Sequence, residues 1–138
     1  MRIVLDTNVF ISGVFFGGPP SRILEAWRDG LLQLILSPEI LDEYQRVGRT
    51  LEADYAVAEL EPIMALLAVK AEIVEPNALP EPVCSDPDDD KFLACAIAAE
   101  VPVIVSGDKH LLRQSGWRGV LVLRPRQFLD EYLPALPD

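Results

Sequence analysis

Short apolar runs alternate along the chain with segments whose apolar residues recur every three or four positions. The runs show no helical period, so each predicts a strand that is buried on both faces. The segments between them have one apolar side, which predicts helices. Strands are predicted at residues 3–5, 31–36, 71–74, 101–105 and 120–123, and helices at residues 7–15, 21–29, 38–49, 53–71 (divided near Pro62), 86–100, 109–114 and 125–132.

Strands that alternate with helices are typical of a parallel sheet covered by helices on both faces. The predicted fold class is therefore α/β, a three-layer α/β/α sandwich with a parallel sheet of about five strands. A length of 138 residues, half of them hydrophobic, is enough to bury one core. We expect a single domain spanning residues 1–138, in which the proline-rich residues 75–84 form an extended connector.

Acidic residues outnumber basic ones by 22 to 12, which gives a formal net charge of -10. A general electrostatic attraction to nucleic acid is therefore absent, and RNA or DNA binding would depend on local basic groups and bound cations. Cys84 and Cys95 support neither a disulfide framework nor a zinc site. No apolar run approaches the roughly 20 residues of a membrane span, so we expect a cytoplasmic protein without membrane contact.

Several acids lie where predicted strands end or where the following helices begin. In parallel α/β sheets, ligands bind outside the carboxyl ends of the strands, where the strand order reverses. This rule places the acids at one edge of the sheet. They are Asp6, Glu43, Asp86, Asp88, Asp89, Asp90 and Asp108.

Asp90 is the acid of its helix that we expect to face inward, because it leads an apolar stripe with Leu93 and Ile97. Asp86 is then the expected N-cap. Carboxylates at close range repel one another, and a helix N-terminus offsets only about 0.3–1 kcal/mol of that repulsion. A hard divalent cation fits the need, and ligands that are all oxygen favour Mg²⁺ or Mn²⁺.

Each acid also has a simpler structural explanation. Asp6 and Asp108 are placed to cap the helices that follow them. Asp88 and Asp89 suit the positive end of a helix dipole, and Glu43 suits the solvated side of an amphipathic helix. The functional interpretation depends on the coincidence of these acids at one edge.

Four segments together resemble the PIN-domain family. They are Asp6-Thr7-Asn8-Val9, Glu43 in a helix after a strand, Asp90-Lys91-Phe92-Leu93-Ala94 at the start of an alanine-rich helix, and Ser106-Gly107-Asp108-Lys109-His110-Leu111. The resemblance spans the chain from the first strand to the fifth. The subgroup that it most resembles comprises the toxins of bacterial or archaeal toxin-antitoxin pairs.

The resemblance implies a ribonuclease that hydrolyses phosphodiester bonds of single-stranded or structured RNA with one or two Mg²⁺ or Mn²⁺ ions. It also implies that an antitoxin protein and a homodimer are possible partners. Two further positions match residues that support the acids by hydrogen bonding, Asn8 and Ser106. The implied catalytic and metal-binding acids are Asp6, Glu43, Asp90 and Asp108.

Backbone phosphates would need nearby cations. Lys91 and Lys109 are the better candidates because each adjoins one of these acids, and Arg22 is placed near the same edge by its position in the sequence.

Two other functions stay open at this point. One is a Mg²⁺-dependent aspartyl-phosphate phosphatase, although that chemistry usually needs a second acid two residues after the nucleophile, where this chain has Asn8. The other is a binding module without catalysis, in which the acidic edge docks a protein.

Overall fold

The computed structural model describes residues 1–54 and 60–133. Part of the helical segment predicted at residues 53–71 lies outside the described residues. The elements in order are β1 (Arg2–Leu5), α1 (Thr7–Phe15), α2 (Pro19–Arg28), β2 (Gln33–Leu36), α3 (Pro38–Asp54), α4 (Glu61–Lys70), β3 (Glu72–Ile73), α5 (Asp90–Ala98), β4 (Val103–Val105), α6 (Lys109–Leu112), β5 (Leu121–Leu123) and α7 (Pro125–Tyr132). Single turns of 3-10 helix occupy Pro87–Asp89 and Trp117–Gly119.

The five strands form one sheet, in the order β3-β2-β1-β4-β5, and every pair of neighbours is parallel. Ile3, Val4 and Leu5 of the central strand are at most 1% exposed. Consecutive side chains of a strand point to opposite faces of the sheet, so all of them are buried only when helices cover both faces. The predicted α/β fold with a parallel five-stranded sheet is confirmed.

The strand order reverses between β1 and β4. The chain builds β1, β2 and β3 outward in one direction and then returns to place β4 on the other side of β1. Leu5 is paired with Val105, and the backbone N–H of Asp6 donates to the carbonyl of Val105 at 3.1 Å. The residues that follow β1 and β4 therefore leave the sheet side by side at the place where such sheets bind ligands.

Some boundaries differ from the predictions. Helix α2 begins at Pro19 because proline is tolerated in the first turn, where its missing N–H has no partner to lose. Strand β4 begins only at Val103, and α6 ends at Leu112. Among the helices of residues 1–54 and 60–133, none combines the length and the apolar character of a membrane span.

Gly13 permits the close packing of α1 on α2. A Cβ at this position would lie 2.6 Å from Leu24 Cδ1 and 2.8 Å from the carbonyl oxygen of Pro20. We expect Gly13→Ala to lower the free energy of unfolding by about 1–3 kcal/mol, measured by urea denaturation, because the backbone oxygen cannot rotate away. Gly48→Ala is the comparison, since its Cβ would meet the methyl groups of Leu60, which can move. Equal stability of the two variants would contradict this explanation.

Candidate active site

An open pocket of about 290 Å³ lies outside the ends of β1 and β4. Half of the side chains that line it are acidic, and they come from the ends of both strands, from α3 and from the turn before α5. The lining residues are Asp6, Thr7, Asn8, Glu43, Arg46, Val47, Asp88, Asp89, Phe92 and Asp108. The sheet rule therefore brings three of the four predicted acids together, namely Asp6, Glu43 and Asp108.

Asp6 is both a helix cap and a pocket residue. Its Oδ1 accepts a hydrogen bond of 2.8 Å from the backbone N–H of Val9, which caps α1. Its Oδ2 accepts a hydrogen bond from the hydroxyl of Ser106, whose oxygen in turn accepts the backbone N–H of Asp108 at 2.9 Å. Ser106 thus links the carboxylate of Asp6 to the backbone of Asp108.

Burial raises the pKa of Asp6 to about 6. Burial is the largest cause; within the same value, the hydrogen bonds from Ser106 and Val9 act to lower the pKa, and the nearby charges of Asp108 and Glu43 act to raise it. The side chain is 3% exposed. The hydrogen bonds from the protein therefore do not fully offset the cost of burying the negative charge of Asp6.

Tyr44 fixes helix α3 over the end of β1. Its hydroxyl donates to the carbonyl of Leu5 at 2.5 Å, and its ring stacks on Phe10 with the centroids 4.2 Å apart. Glu43 is next to Tyr44 on this helix, and its side chain lines the pocket. The hydroxyl of Thr7 donates to Glu43 Oε1.

Lys91 forms ion pairs within the acidic group. Its Nζ lies 2.6 Å from Glu43 Oε2 and 2.9 Å from Asp88 Oδ1, and it donates to the backbone carbonyl of Asp88 at 2.9 Å. An ammonium has three N–H donors, and these contacts use all three. The structure therefore does not support the predicted phosphate contact by Lys91, because no donor is left for a phosphate and the side chain is 4% exposed.

The ion pairs change the pKa values of both partners. Burial alone would lower the pKa of Lys91, but the hydrogen bonds and charges of Glu43 and Asp88 raise it above its ordinary value. The hydrogen bond from Lys91 lowers the pKa of Asp88. Both partners are therefore charged at neutral pH.

Asp89, rather than Asp90, is the acid of this segment that faces Asp108. Asp89 lines the pocket, and its Oδ2 is buried without a hydrogen-bond partner among the described residues. The pKa of Asp89 is raised to about 6, mainly by burial and also by the charges of Asp108, Asp86 and Asp88. The charge of His110 opposes this rise only in part, so the protein compensates the negative charge of Asp89 incompletely.

Asp90 holds the proline-rich connector instead. Its Oδ1 accepts the backbone N–H of Cys84 at 2.7 Å, and its Oδ2 accepts that of Val83 at 3.1 Å. The predicted inward orientation of Asp90 is corrected for a physical reason. Residues 91–96 of α5 are all buried, so an apolar stripe does not identify the side of the helix that faces the acids.

The 3-10 turn before α5 is a second reason why the orientation of Asp90 differs from the prediction. Asp86 caps the 3-10 turn at Pro87–Asp89 by accepting the backbone N–H of Asp88 at 3.0 Å, and α5 itself begins only at Asp90. A 3-10 turn has three residues per turn rather than 3.6, so the direction of each side chain shifts from that expected for a continuous α-helix.

Arg46 is a pocket residue that the sequence reasoning missed. Its guanidinium is 3.7 Å from Glu43 Oε2, and its side chain is 67% exposed, so it remains accessible to a phosphate. Its position three residues after Glu43, on the same side of a helix, is the signal that identifies it. Lys109 and Asn8 are exposed near the pocket, whereas Arg22 belongs to α2 and is not among the described lining residues.

The acidic pocket presents oxygen ligands of the kind that a hard divalent cation prefers. Within residues 1–54 and 60–133, no three His, Cys, Asp or Glu side chains are grouped as a complete ligand set. Mg²⁺ keeps several waters and needs only one or two carboxylates, so a complete set is not required. The pocket offers carboxylate oxygens, and Asp89 Oδ2 has no donor among the described residues. These residues fit a hard divalent cation.

A family model for the PIN domain matches residues 2–110, a range that contains every residue lining the acidic pocket. No curated protein matches the chain. PIN domains are generally nucleases, and they usually use divalent metal ions.

Proposed function

Because the chain belongs to the PIN-domain family, we propose that it is a Mg²⁺- or Mn²⁺-dependent endoribonuclease. The observation that carries this proposal is the pocket at the strand-order reversal, where Asp6, Asp89 and Asp108 lie together. The raised pKa values of Asp6 and Asp89 support it, since a bound cation would supply the positive charge that both carboxylates lack.

Four acids have roles in this proposal, and Asp89 replaces the predicted Asp90. Asp6, Asp89 and Asp108 would surround the ion, with one or two of these carboxylates in direct contact and the rest acting through its waters, and Glu43 borders the same pocket. When bound, the ion supplies Lewis-acid activation of water and neutralises negative charge on the phosphate. Ser106 holds the carboxylate of Asp6 and the backbone of Asp108 through its two hydrogen bonds.

The remaining steps belong to side chains at the rim of the pocket. Asp89 is the proposed general base because it lines the pocket and its Oδ2 has no hydrogen-bond partner among the described residues. Arg46 is the proposed contact for the scissile phosphate, and Lys109 is a second one at the start of α6. Local cations of this kind are needed because the net charge of -10 repels RNA.

The resemblance to toxins of toxin-antitoxin pairs adds further proposals. They are a cytoplasmic toxin, an antitoxin whose basic residue reaches the acidic pocket, and a homodimer. The acidic lining supports the second of these, since a basic side chain would find complementary charge there.

The geometry argues against the phosphatase alternative. Asp6 is 3% exposed, and its two carboxylate oxygens accept hydrogen bonds from Val9 and Ser106. A nucleophilic carboxylate must approach phosphorus, and these contacts hold Asp6 away from that task.

The function is tested by the cleavage of a labelled single-stranded RNA in Mg²⁺, in Mn²⁺ and in excess chelator. We expect cleavage only with metal, and a rate at least about 100-fold lower for Asp6→Asn, because one charge at the ion site is lost. The control is Asp42→Asn, which removes the same charge from an exposed position on α3.

Two results would contradict the proposal. One is cleavage that persists in chelator, and the other is an Asp6→Asn variant as active as the wild type. If the wild type binds Mn²⁺ but cleaves no RNA in either metal, the pocket is that of a binding module without catalysis.

A further inference from the structure

Lys91 forms ion pairs with two of the acids that line the acidic pocket, Glu43 and Asp88. Its ammonium is 2.6 Å from Glu43 Oε2 and 2.9 Å from Asp88 Oδ1, and all three of its donors are used. Its side chain is 4% exposed and that of Glu43 is 12% exposed. This ion pair is therefore largely removed from solvent, where screening is weak.

The two oxygens of Glu43 are both engaged by the protein. Oε1 accepts the hydroxyl of Thr7, and Oε2 faces Lys91, with the guanidinium of Arg46 3.7 Å away. Asp89 differs, since its Oδ2 has no partner among the described residues. The acidic pocket therefore has one side whose charge is neutralised by the chain and one side whose charge is not.

We propose that the Lys91 ammonium takes the place of a second metal ion between Glu43 and Asp88, so that the pocket holds a single divalent ion on the side of Asp6, Asp89 and Asp108. Glu43 is then a positioning residue that holds Lys91, and it is not a metal ligand. This inference rests on the proposed function, and it assigns the number of ions and the role of Glu43, which the proposed function leaves open.

The physical reason is competition for the same oxygens. A divalent ion between Glu43 and Asp88 would have to displace an ammonium that has three short contacts, and the two positive charges would repel at close range. Breaking a buried pair by removing one partner is costly because it leaves a buried charge without compensation. The pair therefore excludes an ion more effectively than an exposed lysine would.

The test counts Mn²⁺ ions by isothermal titration calorimetry on the full chain. We expect one ion for the wild type and two for Lys91→Met, because the lost ammonium frees Glu43 and Asp88. Lys91→Arg keeps the charge and should bind one ion. Lys70→Met, which removes the same charge from α4 outside the lining of the acidic pocket, should also bind one ion.

A double variant keeps the test decisive if Lys91→Met does not fold. Lys91→Met combined with Glu43→Gln removes both members of the pair and leaves no buried charge without a partner. We expect it to bind one Mn²⁺ with a Kd within about threefold of that of the wild type. A loss of affinity beyond about tenfold would make Glu43 a ligand and overturn the inference.

The remaining outcomes separate this inference from the proposed ribonuclease. Two ions in the wild type, or an unchanged count in a folded Lys91→Met variant, overturn the role of Lys91 and leave the ribonuclease intact. The expected ion counts without RNA cleavage support the role of Lys91 and overturn the ribonuclease.

Discussion

Asp89→Asn is expected to reduce RNA cleavage at least about 100-fold without loss of the fold, whereas Asp90→Asn is expected to affect mainly stability. Asp89 and Asp108 line the same pocket, and the proposed roles of Asp89 are in the ion site and in proton transfer. Asp90 accepts the backbone N–H groups of Val83 and Cys84. An asparagine there can accept only one of these donors, which should cost about 1–3 kcal/mol.

The two variants control for each other. Each removes one negative charge from adjacent positions, so the net charge and the long-range field are the same in both. The measurements are the cleavage rate at a temperature where both variants are folded and the melting temperature of each. A large loss of activity in Asp90→Asn, with a nearly normal Asp89→Asn, would return the catalytic role to Asp90.

The sequence predicts the sheet because its strands are central and buried on both sides. Runs such as residues 3–5 have no polar face, and only a parallel sheet between two layers of helices buries such runs completely. The edge of the sheet follows from the same pattern, since Asp6 and Asp108 come directly after or close behind strands. That is why three of the four predicted acids share one pocket.

The sequence pattern does not show whether Asp89 or Asp90 points into the acidic pocket, because helix α5 is surrounded by protein. A helix with a polar side has an orientation that periodicity indicates, but residues 91–96 are all buried. The orientation of the acids at the start of α5 is set instead by contacts that the apolar pattern does not show. They include the backbone of Val83 and Cys84 and the 3-10 turn before the helix.

The role of Lys91 depends on tertiary contact in the same way. Glu43 and Lys91 are far apart in the sequence, and their ion pair exists because α3 and α5 meet beside the end of β1. From the sequence alone, a lysine next to acids at the start of a helix could form a buried ion pair or an exposed contact to a phosphate. Only its burial and its three acceptors distinguish the two roles.

Metal-free Asp6→Asn is expected to be more stable relative to the wild type at pH 7 than at pH 4. The pKa of Asp6 is about 6 in the folded protein and close to 3.8 in the unfolded chain. Between these values the folded state keeps a proton that the unfolded state has lost, so the stability of the wild type falls as the pH rises from about 4 to about 6.

The size of the effect follows from the same difference in pKa. It amounts to about 3 kcal/mol at pH 7, and asparagine does not carry this penalty because it does not ionise. The weaker hydrogen bond of asparagine to Ser106 adds an offset that does not vary with pH, so the measurement is the change in the difference between variant and wild type. Urea denaturation at several pH values in chelator provides it.

At pH 7, metal ions should make the wild type more stable than Asp6→Asn, the reverse of the order expected without metal. Binding to the folded state alone stabilises it by mass action, so millimolar Mg²⁺ or Mn²⁺ should raise the melting temperature of the wild type. Asp6→Asn should gain little because it lacks one of the proposed ligands. Asp42→Asn, at an exposed position, should show neither the pH trend nor the loss of the metal response. A difference between Asp6→Asn and wild type that stays constant from pH 4 to pH 7 would show that burial does not penalise the ionised carboxylate, and the electrostatic case for a cation at Asp6 would then fail.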